Sequence, residues 1–319
     1  MKTSDNNQLK KVRPRAVMLS KRANVFYLER ARVMQVDDRV VYLTETGAEI
    51  ESMFNIPDKN TAFLLLGKGT SITDAAIRKF AESNVLVGFC GSGGSPLFGA
   101  LDITFLAPQD EYRPTQYMQG WMSQWLNEAQ RLALAKEFLM ARVNWTLEQW
   151  DARGLVAPDS LIDRFERGIR QAQDTPHLLA AEAMWAKDLY KLLARQFKLE
   201  FRREEGKRSK ETIADGVNGF LDHGNYIAYG YAATALHGLG IPFALPVLHG
   251  KTRRGALVFD VADIIKDGLV MPLAFEYGSK RSKDNVFRAD LIQTAQEKGV
   301  LDFLMGFLSE VAVKTKLSQ

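Results

Sequence analysis

Cysteine is almost absent from this sequence: Cys90 stands alone among 319 residues. One thiol can form neither an internal disulfide nor a cysteine-based zinc cage. Long apolar runs are missing too. The nearly unbroken stretches Ile227–Leu236 and Ile241–Leu248 reach 10 and 8 residues, whereas a membrane-spanning helix needs ~20. The first 15 residues are polar and basic, without the apolar segment of a secretory signal. There is no internal repeat and no low-complexity tract. Hydrophobic residues at 46% and charged residues at 25% exclude disordered, collagen-like and coiled-coil classes. These features describe a soluble protein of the cytoplasm, with one large domain or two.

Charge is modest in total and uneven in placement. Lys and Arg number 42 and Asp and Glu 38, a net charge of +4. Lys10, Lys11, Arg13, Arg15, Lys21 and Arg22 fall within 13 residues free of acids. A second concentration, Lys187 to Lys210, holds nine basic and four acidic residues. Either segment taken alone reads first as a solvated surface, and a polyanionic partner is the alternative that clustering raises.

The pattern of apolar residues changes once along the chain. Val25–Leu28, Arg32–Val36 and Arg39–Leu43 are short β-branched or aromatic runs, and Asp37-Asp38 between the last two predicts a hairpin. Ala62–Leu66 and Val85–Cys90 read as strands buried on both faces, with a helix over Thr73–Ser83 capped by Ser71 or Thr73. From Thr115 to Trp150 there is no Pro, Gly120 is the only Gly, and the apolar spacing predicts one long amphipathic helix. Further helices are expected at about 160–173, 177–203, 218–238 and 289–313. The expected fold is therefore α+β: a small, sandwich-like β-sheet domain over residues 1–110, then an α-helical domain over 111–319.

Three features carry chemistry. His249 opens the loop His249-Gly250-Lys251-Thr252-Arg253-Arg254-Gly255, and Asp260 and Asp263 follow. If a helix begins near Val258, these two acids lie at i and i+3 on one face with Asp267. An imidazole and paired carboxylates beside a cationic loop suit a divalent metal next to a phosphodiester; acids complementing a helix dipole are the bland alternative. Glu182 sits on a helical stripe otherwise made of Ala186, Leu189 and Leu193, where a carboxylate is costly unless paired or bound to metal. On another face of that helix Lys187, Lys191, Arg195, Lys198 and Arg202 recur at steps of 4, 4, 3 and 4, a single cationic stripe suited to a polyanion, with ion pairing to acids of another helix as the alternative. The glycine-rich pieces Gly67–Ser71 and Gly91–Pro96 lack the spacing of a nucleotide-binding loop.

Several stretches resemble a known family, the CRISPR-associated integrases called CRISPR-associated protein one, and most closely their type I-F branch. They are Ser20-Lys21-Arg22-Ala23-Asn24, Leu64–Thr73, Val87–Gly91, Leu221–Tyr226, and His249–Gly255 continuing through Phe259-Asp260-Val261-Ala262-Asp263. The resemblance implies a Mg²⁺ or Mn²⁺ site held by Glu182, His249 and Asp263, the catalytic residues, with Asp260 as an auxiliary ligand whose loss is milder. It also implies endonuclease and integrase activity on double-stranded and branched DNA, in which a 3′-hydroxyl attacks a phosphodiester at the border of a CRISPR repeat. Lys251, Arg253 and Arg254 would position phosphate. The expected assembly is a homodimer through the β-domain, bridged to another by a small partner subunit that type I-F systems fuse to a helicase–nuclease. A nuclease without an integration role and a non-catalytic nucleic-acid scaffold are the alternatives.

Overall fold

A computed structural model describes residues 24–44, 52–83, 85–90, 97–101, 115–204, 212–250 and 255–314. The basic segment Lys10–Arg22, the loop residues Lys251, Arg253 and Arg254, and the expected domain boundary at 110 lie outside the described residues.

The sheet region comprises β1 (Asn24–Leu28), β2 (Ala31–Val36), β3 (Arg39–Thr44), β4 (Ser52–Ile56), β5 (Thr61–Leu66), β6 (Ser71–Ile72), α1 (Asp74–Glu82), β7 (Leu86–Cys90) and β8 (Leu97–Leu101). The strands form two four-stranded sheets, ordered β1-β5-β7-β8 and β4-β3-β2-β6. The expected hairpin is present: β2 and β3 pair antiparallel with Val36 opposite Arg39, and Asp37 turns the chain at φ +53°. Thr73 caps α1 by accepting from the Ala76 amide at 3.3 Å.

β5 lies between two parallel neighbours, which explains its unbroken apolar run. Its alternating side chains serve two cores. Leu64 and Leu66 join Val33, Val40, Ile56 and Phe80 between the sheets and α1, while Phe63 and Leu65 join the core of the helical region. The helix Ile213–Gly238 reaches the sheet here at Gly230, where a Cβ would stand 2.3 Å from Phe63 Cε1, so only glycine permits this approach.

The helical region follows: α2 (Gln116–Leu126), α3 (Glu128–Asp151), α4 (Asp159–Gln171), α5 (Thr175–Gln196), α6 (Ile213–Gly238), α7 (Ala256–Ser279), α8 (Asp284–Glu297) and α9 (Val300–Val313). Among the described residues, no helix is long and apolar enough to cross a membrane. Three helices are shorter than their apolar spacing predicts. The run from Thr115 to Trp150 breaks at Asn127, which leaves helical geometry and caps α3 through the Gln130 amide at 3.1 Å. The 289–313 run breaks at Gly299, left-handed at φ +59°.

The third break corrects the cationic stripe. α5 ends at Gln196, and Lys198 takes the left-handed conformation at φ +54°. The Leu199 amide then reaches back to the Ala194 carbonyl at 2.8 Å, closing the helix as a glycine usually does. Lys187, Lys191 and Arg195 remain exposed on α5, but Lys198 and Arg202 lie beyond its end, so no single four-turn stripe forms.

Helix α7 positions the site. It is buried nearly all round, packing against α6 and α3. Asp260, Asp263 and Asp267 are 1%, 7% and 0% exposed, so they are interior groups and not acids decorating a solvated helix start.

Candidate metal centre

The loop before α7 carries His249 and is pinned from both sides. Trp121 and Trp125 of α2 donate their indole N–H groups to the carbonyls of Leu245 (3.1 Å) and Pro246 (2.7 Å). On the other side one carboxylate gathers the next three amides. Asp260 Oδ2 accepts from Val247 and Leu248 at 2.7 and 3.0 Å, and Oδ1 accepts from the His249 amide at 3.0 Å. The same Oδ1 lies 2.7 Å from His249 Nδ1. An acceptor at Nδ1 fixes the proton there and leaves the Nε2 lone pair free for a ligand.

That Nε2 faces two carboxylates, Glu182 Oε2 from α5 and Asp263 Oδ2 from α7, each at 3.9 Å. One ligand atom from each of Glu182, His249 and Asp263 lies within 4.8 Å of the others. Donor atoms sharing an ion at ~2.1 Å stand ~3.0–4.2 Å apart for right-angled to linear arrangements. The two 3.9 Å spacings fall in that range, so these residues fit a divalent metal. Asp260 stands behind the imidazole with both oxygens engaged, and is not among the three. From that position it orients the histidine.

Two cations complete the cluster, and the sequence reading missed both. Arg142 of α3 binds Asp267 through Nε (2.6 Å) and Nη2 (3.1 Å), and its Nη1 donates to Glu182 Oε1. Asp267 is held in turn by the Trp185 indole at 2.9 Å. Lys266 pairs with Asp263 Oδ1 and lies 5.3 Å from the centre of the Tyr229 ring. A signal for Arg142 did exist, because it sits among the apolar Phe138, Leu139 and Trp145 of its helix as Glu182 does on its own stripe. Among the described residues, four carboxylates (Glu182, Asp260, Asp263, Asp267) against two cations (Arg142, Lys266) leave −4 + 2 = −2 when His249 is in the neutral form that ligation requires. A divalent ion would balance that charge.

The ionisation of the cluster follows its contacts. The hydrogen bond to Asp260 raises the His249 pKa above its ordinary value against the pull of burial, helped by the charges of Asp263, Asp260 and Glu182. Burial pushes Asp263 up, but Lys266, Arg142 and His249 together hold its carboxyl below the usual range. Asp263 is thus kept ionised, as a ligand must be.

Known proteins of the same kind can now be set beside this geometry. The family model for CRISPR associated protein Cas1 matches residues 26–295. The chain is 42% identical to the CRISPR-associated endonuclease Cas1 of Pectobacterium atrosepticum, covering 96% of each chain. It is 44% identical to the corresponding protein of Pseudomonas aeruginosa, over 95% of this chain and 97% of that one. Its fold is similar to that of a CAS1 protein from Thermotoga maritima, with a TM-score of 0.72 at 15% identity over 91% and 97% of the two chains. A casposase bound to integration product shares the fold with a TM-score of 0.70 at 13% identity, over 92% and 91%. Family match and near full-length identity agree, and this chain belongs to the CRISPR-associated Cas1 endonuclease family.

Proposed function

We propose that this protein is a metal-dependent DNA endonuclease and integrase that inserts new spacers into a CRISPR array. The observation that carries the reading is the convergence of Glu182, His249 and Asp263 from three separate segments on one point. These three are the proposed catalytic residues and would hold Mg²⁺ or Mn²⁺; the mixed nitrogen and oxygen set suits Mn²⁺ at least as well. When bound, the ion supplies Lewis-acid stabilisation of charge on the phosphoryl oxygens. Asp260 keeps the imidazole in the ligating tautomer, and Arg142 keeps Glu182 in place.

The reaction is a transesterification. The 3′-hydroxyl oxygen of a short duplex bonds to phosphorus at the repeat border, and the bond from phosphorus to the departing 3′-oxygen breaks. Run in reverse it resolves branched DNA, and with water as nucleophile it is hydrolysis. Lys251, Arg253 and Arg254, next in sequence to His249, are the proposed phosphate contacts, with Lys187, Lys191, Arg195, Lys198 and Arg202 as more distant ones. Contacts of this kind bind without reading sequence. We assign residues 1–110 to dimerisation and 111–319 to catalysis. Among the described residues β4 is a sheet edge with Met53 57% and Phe54 46% exposed, the kind of surface a second copy would cover. A bridging partner subunit, in type I-F systems fused to a helicase–nuclease, and a cytoplasmic location belong to the same reading.

Hydrolysis without strand transfer uses the same site, and the relatives are named for endonuclease activity. Incubation with Mn²⁺, the partner subunit, a short duplex and a repeat-bearing plasmid separates the two. Joined products that vanish in Glu182→Ala, His249→Ala and Asp263→Ala support integration. Cleavage with no joined product supports the nuclease, and neither product from the wild-type protein would leave the scaffold reading in its place.

A further inference from the structure

Each of the three converging side chains turns one donor atom inward, and each has its other donor atom taken. His249 Nδ1 is engaged by Asp260 at 2.7 Å. Glu182 Oε1 accepts from Arg142, and Asp263 Oδ1 is paired with Lys266. A carboxylate behind a ligating imidazole is the ordinary outer shell of a metal site. Cations behind both ligating carboxylates are not, because they oppose a dication at short range. High affinity alone does not account for them.

Their effect on geometry does. A carboxylate oxygen already held by a cation takes a second cation only against the repulsion between the two, so the other oxygen is the favoured ligand atom. Neither cation is free to swing away. The Arg142 side chain is 5% exposed and clamped to Asp267, which is 0% exposed. Lys266 is 17% exposed and lies against the Tyr229 ring, itself packed edge-on by Phe259 at 4.8 Å between ring centres. Glu182 and Asp263 are thereby biased toward one ligand oxygen each, giving with His249 three ligand atoms. Mg²⁺ and Mn²⁺ accept such a set and complete an octahedron with other groups, whereas Ca²⁺ draws 6–8 oxygens, often through bidentate carboxylates.

We propose that Arg142 and Lys266 set the metal preference: by each occupying one carboxylate oxygen they select a small six-coordinate ion and discriminate against Ca²⁺. This rests on the metal-site reading given under Proposed function. The test is titration calorimetry of the full chain with Mn²⁺ and, separately, Ca²⁺. Three variants accompany the wild type: Lys266→Met, Lys266→Arg, and Arg142→Met combined with Asp267→Asn. The last removes Arg142 without leaving Asp267 as an unpaired buried charge and keeps an acceptor for Trp185.

Circular dichroism confirms folding of each variant. Lys266→Met and the double variant should move the ratio of Mn²⁺ to Ca²⁺ affinity toward Ca²⁺ by ~10-fold or more, the scale of outer-shell changes at metal sites. Lys266→Arg, which keeps a cation on Asp263, should stay near wild type. Folded variants with the wild-type ratio overturn the proposal and leave the metal site standing. A wild-type protein that binds neither ion overturns both.

Discussion

Asp260 is the residue whose replacement separates a structural account of this site from a list of its ligands. Its carboxylate, 1% exposed, accepts from four donors: the amides of Val247, Leu248 and His249 at 2.7, 3.0 and 3.0 Å, and His249 Nδ1 at 2.7 Å. Hydrogen bonds to a charged group contribute ~1.5–3 kcal/mol each. The side chain of His249 is 31% exposed, so water recovers part of the loss at the loop. Asp260→Ala should therefore destabilise the metal-free protein by ~3–5 kcal/mol, a large part of the ~5–15 kcal/mol a domain holds. Glu182→Ala should cost less, ~1–2 kcal/mol, because Arg142 keeps both contacts with Asp267. Urea unfolding in the presence of a chelator, followed by circular dichroism, measures both variants. If Asp260→Ala unfolds at the wild-type midpoint, or loses less than Glu182→Ala, the reasoning fails. An auxiliary ligand without these four hydrogen bonds would give only a mild effect.

Other outcomes follow from the same geometry. Since His249 must be neutral to ligate and its pKa is raised above the ordinary 6.5, Mn²⁺ affinity should fall as pH drops through the raised value. The sign for the metal-free fold is opposite: a raised pKa adds stability below the unfolded-state value and loses it as pH rises through the folded one, so His249→Ala should destabilise more at pH ~5.5 than at pH ~9. Equal losses in chemical-denaturation curves at the two pH values would contradict this. Trp125→Phe keeps an aromatic side chain, smaller than the indole, but removes the bond to the Pro246 carbonyl, which should lower stability by ~1 kcal/mol or more and weaken Mn²⁺ binding in calorimetry. Replacing Arg253 and Arg254 by Ala should weaken duplex binding for all sequences alike and flatten its salt dependence by ~0.9 log unit per lost contact; fluorescence anisotropy at several salt concentrations shows whether one sequence is singled out instead.

What the sequence conveyed, and what it withheld, divides along the range of the interactions. The Asp37-Asp38 turn, the Thr73 cap and the buried runs of β5 and β7 are local or periodic patterns, and the structure has them. Asn127 and Gly299 break helices by ordinary means, but amphipathic spacing runs across both breaks and hides them. Lys198 in a left-handed turn has no local signal at all, since lysine rarely takes that conformation. Glu182 could be noticed because an acid on an apolar stripe needs a partner. The partner itself, Arg142, is 40 positions away, and its other contact, Asp267, is 125 away. Spacing within one helix carries no information about pairs so distant, and the contacts of Asp260 with the histidine loop likewise depend on the path of that loop and not on helix periodicity.

The central claim is that Glu182, His249 and Asp263 share one metal ion. Anomalous diffraction at the manganese edge from crystals soaked in Mn²⁺ tests it most directly. The account predicts one peak ~2.0–2.2 Å from Glu182 Oε2, His249 Nε2 and Asp263 Oδ2, with Asp260 still on His249 Nδ1. A peak bound elsewhere, or one that reaches Asp260 and bypasses Glu182, would contradict it.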